Sequence, residues 1–136
     1  MLSAIAAENT GTAMEARAML VRAVATLKAN EAQALAAFNS DSGGFRDHGL
    51  YVFCATADGR YTAHPGLQEM NQTGKNPFLK DVKDANGKEI GKEMIAMAKE
   101  GHIASMTFMY QPPGSDRPVP GAAWVTRVGD QLCGTS

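Results

Sequence analysis

No apolar run in this sequence is long enough to span a bilayer. Net charge is also nearly absent: 13 lysines and arginines face 14 aspartates and glutamates, for a formal charge of −1. The cations are dispersed and not interleaved with aromatic residues. That pattern excludes a nucleic-acid module and gives no electrostatic pull toward an anionic membrane. Cysteine is scarce. Cys54 and Cys133 form no C-x-x-C pair and show no cysteine–histidine spacing suited to zinc. The G-x-S-x-G, H-E-x-x-H, P-loop and G-x-G-x-x-G patterns are all missing, so the expectation is a protein that is not an enzyme, with no cofactor implied. The start, Met1 to Glu8, lacks the charged region and full apolar core of a signal peptide. Its Ala4-Ile5-Ala6 is like the tail of one, and an ordinary frayed terminus over residues 1–11 is an equal reading.

What is present suffices for one domain. A chain of 136 residues buries roughly two-thirds of its unfolded surface and needs no metal or disulfide to fold. The most informative stretch runs from Leu50 to Pro65. Two β-rich runs flank Asp58-Gly59, a signal for a two-residue hairpin turn. The second run ends at His64-Pro65, where the ladder stops because proline has no N–H to donate. A titratable group is thereby placed at the rim of a sheet.

Thr12-Ala13-Met14-Glu15 has the form of a capping box, and Leu20, Val21, Val24 and Leu27 follow at helical spacing, so a helix is expected over residues 12–29. Asn30 and Gln33 repeat the cap before a short helix with Leu35 and Phe38 on one face. Residues 39–44 read as a loop. Gly66 to Asp84 reads as irregular, with Gly74, Asn76 and Pro77 as breakers and one helical turn around Phe78-Leu79. Asn86-Gly87 marks a turn. Ile90, Met94, Met97 and Ala98 give an amphipathic helix over Lys88 to Glu100, ended by Gly101. Three β-like runs close the chain, Ile103–Tyr110, Gly121–Val128 and Gln131–Thr135, separated by Pro112-Pro113-Gly114 and Gly129-Asp130. The expected fold class is α+β: an antiparallel sheet of about five strands with helices packed on one side.

His64 leads the residues able to carry chemistry, because its charge changes near neutral pH. The competing reading is a histidine that caps a strand end through the backbone. Tyr51, Tyr61, Tyr110 and Trp124 stand in neighbouring strand runs, and a long irregular segment between strands often folds over a sheet as a ligand lid. The expectation is that His64 looks into a small hollow roofed by the segment between the hairpin and the third helix. His48 and His102, beside glycines, read as surface histidines. Asp81, Asp84 and Glu89 lack the alternating ligand pattern of a calcium loop and are diluted by Lys80, Lys83 and Lys88. Met94 and Met97 read as core filler, and Met106 and Met109 fall on opposite strand faces. Cys54 and Cys133 read by default as buried thiols, with a cross-strand disulfide open to them if their strands are neighbours and the compartment is oxidising.

An ordered set of short motifs resembles the single Cache domains of the sCache_2 type. It runs Phe38-Asn39, Gly44-Phe45-Arg46-Asp47, Leu50-Tyr51-Val52-Phe53, Asp58-Gly59, Ala63-His64-Pro65, Gly74-Lys75-Asn76, Asp84-Ala85-Asn86-Gly87-Lys88 and Trp124 to Asp130. It covers nearly the whole chain from about Gly11. The resemblance implies a PAS-like extracytoplasmic sensor fold with a long N-terminal helix and a five-stranded antiparallel sheet whose first and last strands adjoin. It would put Cys54 and Cys133 on neighbouring strands. It also implies a bacterial periplasmic or extracellular location and a small-molecule ligand, often a short carboxylate, in a pocket between sheet and connecting segment. Such a domain is the input of a chemoreceptor or histidine kinase, or a free-standing secreted protein. By position His64 matches the family histidine, and Tyr51 and Phe53 match its first-strand aromatics. Two departures stand out: Gly121 occupies the place of a lysine that would face the pocket, and Trp124 replaces a tyrosine. Arg60 or Arg127 would supply the missing charge if strand alternation turned either to the pocket. A haem-binding or redox protein using His64, with Cys54 or a methionine as partner, is the alternative. Contact with a membrane would come only through flanking segments, and an exposed edge strand would permit a homodimer.

Overall fold

A computed structural model describes residues 12–40, 43–47, 49–74, 77–111 and 114–136. Residues 1–11, His48, the expected breaker Asn76 and Pro112-Pro113 of the expected strand separator lie outside the described residues. Helix α1 (Ala13–Ala29) opens with a complete capping box between Thr12 and Glu15, and Lys28 lies in its last turn. Asn30 ends α1 and caps α2 (Glu31–Asn39), its side chain accepting from the Gln33 N–H. Strand β1 (Arg46–Asp47) is followed by β2 (Leu50–Thr56) and β3 (Tyr61–Ala63). Next come α3 (Leu67–Thr73), a 3-10 turn (Leu79–Asp81) and α4 (Ile90–Met97). Strands β4 (Ala104–Tyr110), β5 (Val119–Val128) and β6 (Gln131–Thr135) complete the chain.

The strands form one antiparallel sheet in the order β1-β2-β6-β5-β4, with β3 on the same edge of β2 as β1. The first and last long strands are therefore neighbours in the middle of the sheet, which brings Cys54 directly opposite Cys133. The two are joined by a disulfide, with Cα atoms 4.1 Å apart, so the default reading of free thiols is corrected.

Alternation along β2 sorts the core into two layers. Val52 and Cys54 pack with Leu20, Ala23, Leu27 and Phe38 of α1 and α2. Phe53 and Ala55 pack with Leu79, Ile90, Met94 and Leu132. Helical segments thus cover both faces, not one as the strand pattern suggests. That burial on both sides is why β2 reads as an unbroken apolar run rather than an alternating one.

Four local expectations change. The hairpin closes through Thr56 N–H to Arg60 O (2.9 Å) and Gly59 N–H to Thr56 O (2.9 Å), enclosing three residues. Gly59 takes φ 90°, the positive-φ glycine of a three-residue loop, where a two-residue turn was expected. The stretch expected to be irregular holds α3, which ends on Gly74 in the left-handed region and buries no residue fully. Helix α4 stops at Met97, so Gly101 does not cap it; Gly101 (φ 74°) turns the chain between the bridged residues Lys99 and His102. The sheet also gains the short strand β1.

Candidate functional site

A hollow of about 810 Å³ lies against the end of the sheet where β2 and β5 begin. Gly49 and Leu50 at the start of β2 border it on one side and Pro120 to Ala122 of β5 on the other, and side chains from both faces of these strands line it. Beside it, Tyr51 and Ser136 exchange two 3.2 Å backbone bonds.

The hollow therefore reaches both faces of the sheet. On the α1 face its wall includes Thr12, Ala13, Ala16 and Trp124. The Trp124 indole N–H donates to the Ala13 carbonyl at 3.0 Å, and the Thr135 hydroxyl donates to the Ala16 carbonyl at 2.8 Å. These bonds attach the first turns of α1 to the site. On the opposite face Tyr51, Phe53, Tyr61 and Phe108 form the floor, and Leu79, Val82, Lys83, Ile90 and Met94 form the roof. Phe53 lies over β6 because Gly134 has no side chain there: a Cβ would come within 2.6 Å of the Phe53 ring.

The roof is pinned by Asp84. Its carboxylate accepts from the Asn86 and Lys88 N–H groups at 2.9 Å each and from the Met109 N–H at 3.1 Å. The Ala85 N–H donates to the Met109 carbonyl at 2.8 Å. The Met109 bond and the others hold the Asp84 carboxyl below its usual range. Asp84 thus tethers the roof to β4, a role its sequence context of scattered acids did not disclose.

The residues singled out from sequence separate into two groups. Tyr51, Phe53, Tyr61, Tyr110 and Trp124 all line the hollow. His64, Arg60 and Arg127 do not. Arg60 is exposed and lies over the Phe78 ring at 5.4 Å. Arg127 sits about six residues up β5 from Gly121, roughly 20 Å away at strand spacing, where Glu100 bridges to it. The place beside Gly121 is filled by aromatic rings: a Cβ there would meet Phe108 and Tyr110, each at 3.0 Å. Lys83, which the sequence offered only as a charge among acids, is the cation that reaches the wall.

His64 stands behind the floor. Its ring packs edge-on to Tyr51 at 5.1 Å and tilted to Tyr61 at 4.9 Å. Asn39 holds its backbone, accepting from the His64 N–H at 3.0 Å while donating to the Thr62 carbonyl at 3.0 Å. The Gly66 N–H donates to His64 Nδ1 at 2.9 Å. The neutral imidazole therefore carries its proton on Nε2. Burial, with Arg46 contributing, lowers its pKa from 6.5 to about 4. The unfolded chain takes up a proton in that interval and the folded chain does not, so stability falls as pH drops from 6.5 to 4. After discounting for partial exposure the loss is on the order of 2 kcal/mol. Urea unfolding at the two ends of this window is expected to show it, and the His64→Gln protein is expected to show that much less acid sensitivity.

The disulfide takes Cys54 out of any haem-ligand set. Among the described residues, no helix is long and apolar enough to cross a membrane.

Comparison with known proteins agrees with this architecture. No curated protein matches the chain. Two of the solved structures that resemble it do so along nearly its whole length. One, described as the periplasmic sensor domain of a chemotaxis protein, superposes with a TM-score of 0.57 at 21% identity, covering 99% of this chain and 95% of its own. Another, described under the structural basis for carboxylic acid recognition by a Cache chemosensory domain, gives 0.56 at 19% identity, covering 98% and 93%. At these identities the likeness establishes the fold. The family model described as Single Cache domain 2 matches residues 5–129. With the central β2–β6 pair, the long first helix and the roofed hollow in place, the chain belongs to the Single Cache domain 2 family.

Proposed function

We propose that this domain is an extracytoplasmic, non-catalytic sensor that takes up a small metabolite in the hollow at the start of β2 and β5. It would serve as the input of a chemoreceptor or histidine kinase, or as a free-standing secreted binding protein. The observation that carries the reading is the hollow itself: one space is walled by the sheet aromatics, by the segment from Leu79 to Met94 and by the first turn of α1. A ligand there touches the sheet and the helix at once, so its binding energy favours one relative position of the two. The Cys54–Cys133 disulfide supports export, since such bonds persist in oxidising compartments.

A thermal-shift screen of short organic acids, amides, amines and amino acids tests this. A ligand at a hundred times its Kd stabilises by about 2.7 kcal/mol. True ligands should therefore raise the Tm of the wild type clearly and leave Val82→Trp, which fills the space under the roof, unmoved. The reading fails if no compound shifts the wild type, or if the filled protein responds equally.

A further inference from the structure

We propose that the ligand is an uncharged molecule with an aromatic or branched aliphatic body and a carbonyl-type acceptor, received by the Tyr51 and Tyr61 hydroxyls, and not a carboxylate. This rests on the sensor reading above and narrows it to a chemical class.

The composition of the wall carries the inference. Floor and roof are apolar or aromatic, from Phe53 and Phe108 to Leu79, Val82, Ile90 and Met94. Among the described wall residues the charged side chains are Lys83 and Asp84, adjacent and of opposite sign. Lys83 is exposed, and three backbone N–H groups already occupy Asp84. Arg46, opposite Tyr51 on β1, is exposed and outside the wall. Beside Gly121, where a longer side chain would enter the hollow, the Phe108 and Tyr110 rings take the space. An ionised carboxylate placed inside would lose its hydration with no buried cation to replace it, a heavy cost.

Hydrogen-bond donors are available instead. No partner is found for the Tyr51 and Tyr61 hydroxyls among the described residues, and burial raises the pKa of both, so each remains an O–H donor. His64 behind them is held neutral and adds no charge. A ketone, amide or ester oxygen accepts such bonds without paying for charge burial.

The test uses matched pairs by isothermal titration near neutral pH: 3-phenylpropanamide against 3-phenylpropanoate, and isovaleramide against isovalerate. The amide of at least one pair is expected to bind about tenfold or more tightly than its acid, a difference of about 1.4 kcal/mol. Tyr51→Phe with Tyr61→Phe should weaken that amide severalfold. Equal or tighter binding of the acids overturns the ligand class, and more so if Lys83→Gln abolishes it. If neither member of either pair binds, the class is also overturned. Carboxylate hits in the wider screen then leave the sensor reading standing, and a wholly silent screen removes both.

Discussion

Replacing Cys54 and Cys133 together by alanine is expected to lower stability by about 2–5 kcal/mol. The two residues are 79 apart in sequence, so the bond closes more than half the chain into one loop and removes much of the freedom of the unfolded state. Chain-entropy arithmetic for a loop of that size gives roughly 4.5 kcal/mol. Both side chains are fully buried, and alanine leaves little more than the volume of two sulfurs unfilled. At the unfolding entropy typical of this chain length, the predicted loss is a fall in Tm of about 7–17 °C. Calorimetry with and without reductant checks it. The variant should melt at the same temperature in both conditions, whereas the wild type should fall to the variant's value only when reduced. A wild type indifferent to reductant, with the bond shown to be broken, would contradict the assignment.

Gly91→Ala is the second large effect, and it acts on the roof. A Cβ at Gly91 would sit 1.7 Å from the Leu79 carbonyl oxygen and 2.8 Å from the Leu79 carbonyl carbon. These are backbone atoms, so no rotamer change relieves the clash. The Gly91 N–H also donates to the Val82 carbonyl at 3.1 Å, which holds α4 against the 3-10 turn. The two segments must separate to admit a methyl group, giving up contacts of Leu79, Ile90 and Met94 in the second core layer. Overpacking of this kind costs about 3 kcal/mol, against a gain of at most about 1 kcal/mol from replacing a helical glycine. Chemical denaturation should show a net loss of about 2 kcal/mol, and hydrogen exchange should show the excess opening confined to the roof.

Local rules reached the elements whose signals are local. The Thr12–Glu15 capping box and the Asn30 cap each use contacts within a few residues, and each recurs in the structure; at Asp58-Gly59 the hairpin recurs with a loop one residue longer. The order of motifs from Phe38 to Asp130 carried the family and with it the adjacency of β2 and β6. Helix α3 escaped because Leu67 and Met70 are only half-buried and no side-chain cap marks its start. The second layer escaped because α4 shows the same periodicity whichever face of the sheet it covers.

At the site, sequence found the aromatic wall and missed its boundaries. Alternation can say that Tyr51 and Phe53 share a face. It cannot say where along β5 the hollow lies, at Pro120 to Ala122 and far from Arg127. In sequence Asp84 is one acid among lysines, because its link to β4 runs to Met109, 25 residues on.

Trp124 is the chain's single tryptophan, and its indole is both part of the wall and bonded to the Ala13 carbonyl of α1. Its emission therefore monitors occupancy and helix attachment in the same photon, with no label added. A bound molecule that displaces solvent from the ring should shift the spectrum to the blue, and loosening of the indole bond should show as faster depolarisation. The domain is its own optical gauge of whether filling the space moves the helix.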